Sequence, residues 1–283
     1  MRRGAMPPRR FRSTVAQPTG AAALRRTFCV LAAALVAYAA TPAALAAGDS
    51  PRGRAGQRGA VSHVAGVPFP GMAAVGALFT SSGGRLGSHF CTASVVSSPA
   101  GNMLITAAHC LQSVALDPVG SVIFAPGYHD GSFPYGIWPV TAVYTDSRWR
   151  RSQDPDDDIA FLTVGGPHAD IQRLTGAEAL TVGQPPQQVR VIGYPGQTSE
   201  PITCTAPARG FGPGQMVFDC ANFTNGTSGG PFLADLGSTT GDGWVIGVIG
   251  GYQQGGDTPS ISYSPRFTPS LLELYQSAVS GGA

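Results

Sequence analysis

The chain has 283 residues, 43% of them apolar and 12% charged, and its 18 basic residues outnumber 16 acidic ones for a net charge of +2. Seven of the basic residues fall in the first 26 positions, so from Ala47 onward the balance is −5, and a nucleic-acid-binding surface is excluded as the reason for the charge. Every cation is an arginine, and the absence of any CxxC or HExxH pattern leaves no zinc motif, so neither a metal nor a cofactor is expected.

Residues 1–46 carry seven arginines and no acidic residue, followed by the apolar run TFCVLAAALVAYAA from Thr27, then Pro42 and ALAA. A basic leader, an apolar stretch of this length and small residues at its end make a signal peptide, with the cut after Ala46 or, as a near alternative, Ala47. The pair in RRTF also resembles a twin-arginine export signal. The apolar stretch is too short to span a bilayer, so a secreted, extracellular protein with no stable membrane association is expected rather than one held by an uncleaved anchor helix. Cys29 leaves with the signal. Cys91, Cys110, Cys204 and Cys220 remain, and in an exported chain four cysteines predict two disulfides with three possible connectivities. Residues 47–67, rich in Gly, Arg and Ser, read as a leader or short propeptide.

From Pro68 short apolar runs succeed one another, bounded by Gly, Pro, Asp or Ser. MAAVGALFT, CTASVVS, NMLITAAH, SVIFAP, WPVTAVYT and DIAFLTV come first, then QQVRVIGYP, QMVFDC, PFLADL and GWVIGVIGG. This spacing predicts an all-β sandwich or barrel, as one large unit or as two halves hinged near 165–183. One helix is predicted, over TPSLLELYQSAV, where Thr268 caps, Pro269 opens the first turn, and Leu271, Leu274, Tyr275 and Ala278 share a face.

Three residues stand out for chemistry: His109 in LITAAHC, Asp158 at the end of DPDDD before IAFL, and Ser228 in NGTSGGP. Singly each has a plain structural reading, as a strand-end histidine, a solvated acidic turn and a glycine-rich loop. Jointly they form a set. A hydroxyl at its ordinary pKa needs an adjacent base to become a nucleophile, and that base needs a third group to fix its tautomer.

The order His, Asp, Ser within the words TAAHC, DIAFL and GTSGGP resembles the chymotrypsin-like serine peptidases over roughly Val67 to Ala278, and VIGYPG is similar to the bacterial glutamyl-endopeptidase branch. The resemblance implies an all-β fold of two six-stranded antiparallel β-barrels with a C-terminal α-helix. The peptidase domain would span 68–283, with barrel one over about 68–165, barrel two over about 184–266 and the helix over about 268–279. It also implies a secreted serine endopeptidase, monomeric, acting on protein or peptide substrates through an acyl-enzyme. Ser228 would be the nucleophile, His109 the base, and Asp158 rather than Asp156 or Asp157 the orienting carboxylate. The amides of Gly226 and Ser228 would bind the oxyanion, and Gly229 and Gly230 would keep side chains clear of the scissile bond. The family's disulfide beside the histidine pairs Cys91 with Cys110, which leaves Cys204 with Cys220. A loop of roughly 20 residues such as the first is worth about 3 kcal/mol on the chain-entropy account.

The chain departs from the family at several positions. Thr227 stands where digestive relatives have an aspartate that pairs with a new N-terminus, so that activation switch cannot operate in the same form. Asn222 falls where trypsin has its pocket aspartate, and Ile249 where glutamyl endopeptidases have a histidine. Gly250 and Gly251 replace Ser-Trp and leave room beside them. With Phe223 and Tyr252 these are the expected substrate-binding residues, and their neutrality predicts a preference for uncharged side chains. The alternative reading is a catalytically inactive trypsin-fold binding or adhesion protein, which the full set of three residues argues against. A lipase or esterase would need the order Ser, Asp, His around its GxSxG, which is the reverse of this one.

Overall fold

A computed structural model describes residues 64–112, 120–165, 170–234 and 243–281. The expected signal peptide, its cleavage site and Cys29 lie outside the described residues, as does the leader up to residue 63. The leader's last residues do not behave as a detached segment. Ala65 bridges Ala221, and strand β1 (Val67–Pro68) pairs antiparallel with Thr203 and Ile202, so this arm belongs to the folded body.

The first half is a closed barrel built from β2 (Val75–Ser82), β3 (Arg85–Val96), β4 (Met103–Thr106), β5 (Val122–Pro126), β6 (Trp138–Thr145) and β7 (Ala160–Val164), joined in the order β2-β3-β4-β7-β6-β5. The second half is an eight-stranded sheet. It comprises β1, β8 (Ala179–Leu180), β9 (Gln188–Gly193), β10 (Ile202–Phe211), β11 (Gln215–Asp219), β12 (Pro231–Ala234), β13 (Trp244–Val248) and β14 (Ile261–Pro265). Its order is β14-β11-β10-β9-β12-β13-β8, with β1 attached to β10. Helix α3 (Pro269–Gly281) closes the chain, as its apolar spacing predicts. The expected all-β architecture of two halves with a terminal helix is the one observed; the first half closes with the six strands expected, and in the second the two-residue strands β1 and β8 add to six longer ones.

The unbroken apolar texture of IAFLTV follows from its position. Ala160, Leu162 and Val164 point into the first barrel's core, whereas Ile159 and Phe161 join a second cluster with Ile192, Tyr194, Leu233, Val245, Val248 and Leu271. Side chains of a strand alternate between faces, so a strand buried on both faces is apolar at nearly every position, and the one polar side chain here, Thr163, is paired with the Thr141 hydroxyl at 2.9 Å. The second cluster is the seam between the halves. Helix α3 covers one end of it, with Leu271 and Ala278 buried and Leu274, Tyr275 and Val279 packed alongside. Tyr275 stacks edge-on against Phe161 and donates to Ser97 O at 2.9 Å.

Among the described residues two α-helices stand beyond the expected one: α1 (Ser147–Ser152) and α2 (Ile171–Thr175), each capped by an aspartate side chain, Asp146 and Asp170. At six and five residues they are too short to display a helical period. Strands β10 and β14 also lacked a clear apolar run. In β10 Pro207 sits where pairing passes from β9 to β11, and in β14 the inward positions include Ser262 and Ser264. Ser264 is satisfied in the core, its hydroxyl accepting from Val248 N at 2.9 Å and donating to Pro265 O.

Candidate active site

His109 lies in a single 3-10 turn, Ala108–Leu111, directly after β4, and its neighbour Cys110 is bonded to Cys91 of β3. The second disulfide joins Cys204 to Cys220 and closes the β10–β11 hairpin. Asp158 follows another such turn, Pro155–Asp157, and leads into β7. The β4–β7 register sets Thr106 opposite Ala160, so the two turns leave the barrel on the same rim. There Asp158, fully buried, accepts from His109 Nδ1 at 2.7 Å and from the His109 backbone amide at 2.8 Å. Its Oδ2 also accepts from Gly251 N at 2.8 Å, which ties the rim of the barrel to the segment after β13.

The other two aspartates are held differently. Asp156 accepts from Gln215 Nε2 at 2.6 Å. Asp157 belongs to the acidic turn, which by itself reads as solvated, but it is 7% exposed and pairs with Arg148 of α1 at 2.6 Å. Burial pushes its carboxyl above the ordinary range, and the Arg148 guanidinium opposes that shift.

Ser228 sits on the loop between β11 and β12. Ser228 O accepts from Thr92 N at 2.8 Å, and Gly229 N donates to Ile249 O at 2.7 Å. Thr92, buried in β3, spans the loop from below: its hydroxyl donates to Gly226 O at 3.0 Å and accepts from Tyr194 N at 2.9 Å. Gly226 has φ +98° and lies so close to Tyr194 O and Gly196 N that a Cβ would overlap both. Gly229 and Gly230 were expected to clear space for a substrate. Their constraint is internal instead. A Cβ on Gly229 would stand 2.0 Å from Thr106 Oγ1 and 2.2 Å from Thr92 O, and one on Gly230 would stand 2.2 Å from Ile192 O. The serine loop is wedged against β3, β4 and β9, and its glycines permit that approach at Thr106, three residues upstream of His109.

The amides of Thr227, Gly229 and Gly230 are bonded to Thr224 O, Ile249 O and Thr227 O. Those of Gly226 and Ser228 donate to no atom among the described residues, nor does the Ser228 hydroxyl make a hydrogen bond there.

The trypsin-like peptidase domain matches residues 91–241, just over half of the chain. The chain belongs to that family. This trypsin-like peptidase is thus a serine-type endopeptidase, a hydrolase of peptide bonds. A thermostable serine protease, AL20, from an extremophilic microorganism is 26% identical with a TM-score of 0.61, covering 74% of this chain and 97% of that one. The protease Anisep from Arthrobacter nicotinovorans gives 22%, 0.62, 75% and 98% for the same measures. A Glu endopeptidase solved in complex with MPD gives 16%, 0.58, 77% and 98%. At their identities the last two speak to the fold alone. A protein named extracellular metalloprotease, from Bacillus subtilis (strain 168), is 31% identical over 65 residues, 23% of this chain and 21% of that protein, so the peptidase matches about a fifth of that relative's length. Among the described residues two groups bring three donor atoms within 4.8 Å of one another. Cys91, His109 and Cys110 have their sulfurs in a disulfide, and His129, Asp130 and Glu200 form a partly exposed ion-pair cluster.

The expected substrate-binding residues of this peptidase divide. A cavity of about 230 Å³ opens beside Ser228, and Phe223 and Ile249 line it. Asn222 does not: its residue is exposed at φ +76°, and Nδ2 donates to Gly66 O at 3.0 Å, towards the N-terminal arm. The space expected beside Gly250 and Gly251 is filled. A Cβ on Gly250 would stand 3.0 Å from Asp158 Oδ2, and one on Gly251 would stand 2.2 Å from Gln215 Oε1. Tyr252 lies outside the cavity, in an exposed ring cluster with Phe211 and Tyr263.

Two residues that sequence reasoning missed complete the site. Buried Gln215 accepts from Tyr252 N at 3.1 Å through Oε1 and donates to Pro155 O at 3.0 Å through Nε2, bridging the glycine segment and the turn before Asp158. Asp257 lines the cavity. Neither belongs to a motif, so only the folded chain reveals them.

Proposed function

We propose that this peptidase is an exported serine endopeptidase in which Ser228, His109 and Asp158 act as nucleophile, base and orienting carboxylate. The observation that carries the reading is the buried Asp158 carboxylate 2.7 Å from His109 Nδ1. A carboxylate there keeps the proton on Nδ1 and leaves the Nε2 lone pair to take the Ser228 hydroxyl proton. Ser228 Oγ then adds to the substrate carbonyl. The unbonded amides of Gly226 and Ser228 are suited to donate to the resulting oxyanion, and protonated His109 returns its proton to the leaving amine. Water, activated by the same histidine, hydrolyses the acyl-enzyme. Among the described residues the Ser228 hydroxyl makes no hydrogen bond, which accords with catalytic contacts that tighten only on substrate binding. Two disulfides within a compact domain suit an oxidising compartment outside the cell.

A fluorophosphonate probe tests the assignment. The wild type should be labelled on Ser228 and should hydrolyse peptides. Ser228→Ala should lose labelling and retain at most a residual 10³–10⁴-fold advantage over water, the scale known for triad deletions. Labelling that persists in Ser228→Ala removes Ser228 from the mechanism.

A further inference from the structure

The cavity beside Ser228 holds a charge that no motif announced. Of its lining residues Asp257 alone is ionisable, and the others nearest in character, Asn225, Gln254, Thr258 and Ser262, are neutral hydrogen-bonding groups. The Asp257 carboxylate is exposed and accepts from Gln253 Nε2, a neutral amide. Among the described residues no arginine or histidine pairs with it, so its charge is uncompensated. Asn222, one of the neutral residues from which a preference for uncharged side chains was expected, is turned away and committed to Gly66 O.

Resting on the reading of Ser228 as nucleophile, we propose that Asp257 makes this cavity the binding site for a cationic side chain, arginine or lysine, on the residue before the scissile bond. A cation entering the cavity exchanges hydration for an opposite charge and several acceptors, whereas a carboxylate would meet a like charge and no cation. A guanidinium has five N–H donors, and the side-chain oxygens of Asn225, Gln254, Thr258 and Ser262 offer acceptors beside the carboxylate. The volume of about 230 Å³ accommodates a long side chain. Because Asp257 is exposed, the preference is moderate and sensitive to salt.

The decisive comparison uses matched peptides carrying arginine or citrulline at that residue, which differ in charge and hardly in shape. The expected kcat/KM ratio is about tenfold in favour of arginine at low salt, shrinking as ionic strength rises. Asp257→Asn should bring the ratio to about one by removing the charge. A ratio of one or below in the wild type overturns the inference, as does a ratio unaltered in Asp257→Asn. Calorimetric titration of the two peptides into Ser228→Ala asks the same question without catalysis. If the wild type fails to label at Ser228 but Ser228→Ala still binds the arginine peptide more tightly, the catalytic reading falls and the pocket stands. If labelling succeeds without an arginine preference, the pocket inference falls alone.

Discussion

Asp158 receives two hydrogen bonds from one residue: His109 donates its backbone amide to Oδ1 and its ring Nδ1 to Oδ2. The pair fixes both the position of the turn and the rotation of the ring. Asparagine at 158 can accept one of these bonds, but its NH₂ group would face the other, and if it faces Nδ1 the ring is driven to the opposite tautomer. Asp158→Asn should therefore keep the fold and lower kcat by about 10⁴-fold near neutral pH, the scale of the same change in a well-studied triad. Steady-state kinetics on one peptide decide it, and a loss below tenfold would remove Asp158 from the assigned role.

Asp157, one residue away, should act on stability. Burial raises its folded pKa above the 3.8 of the free group, with Arg148, Asp146 and Asp154 as the neighbouring charges. Between 3.8 and that raised value the folded state binds more protons than the unfolded state, so stability from this group falls as pH rises through the window. The stability of wild type minus that of Asp157→Asn, read from urea melts at a series of pH values, should decline from acid towards neutral pH. A difference that grows over that range contradicts the burial account.

Gln215→Leu should leave Tyr252 N, Pro155 O and Asp156 Oδ1 without their partner, at a cost near the low end of about 1–3 kcal/mol because these groups are only partly buried. The glycine segment should loosen while His109 and Asp158 remain paired, so KM for an extended peptide should rise more than kcat falls. Gln215→Glu keeps an acceptor for Tyr252 N but sets a second carboxylate against Asp156 in place of a donor, so any recovery of KM should appear only at acid pH, where the two can share a proton. Equal effects on kcat and KM in both variants would point to a general packing defect.

Cys204→Ser with Cys220→Ser should destabilise by about 3 kcal/mol, since the bridge closes a short loop of the unfolded chain. The hairpin it closes leads into the serine loop, so activity should become more sensitive to urea than global fluorescence. Mass spectrometry of secreted protein should find both bridges and a start at or after Ala47.

Of three consecutive aspartates, the one facing His109 could be read because IAFL fixes the register of β7, and a strand start determines which residue meets the rim. The same words misled at Asp157. There it is buried and paired with Arg148, delivered by a helix too short to leave a periodic trace. Glycine spacing in GTSGGP marked a tight loop, but not that the tightness is against β3 and β4, because a contact across 120 or more residues has no local signature. Gln215 and Asp257 were illegible for a related reason. A glutamine in an amphipathic strand and an aspartate in a polar loop look ordinary until the chain folds back upon them.

The N-terminal arm carries a consequence for maturation. Ala221 N donates to Val64 O at 2.9 Å, Gly66 N donates to Ala221 O at 2.8 Å, and Asn222 Nδ2 reaches Gly66 O at 3.0 Å, all immediately before Phe223 at the cavity wall. A processing protease that stops short of Val64 leaves these bonds intact. One that trims beyond Gly66 strips all three and frees the Asn222 amide next to the cavity. Preparations with ragged ends should then differ in specific activity and cleavage preference while melting alike, and the position of the final cut becomes a setting of the enzyme rather than a detail of its secretion.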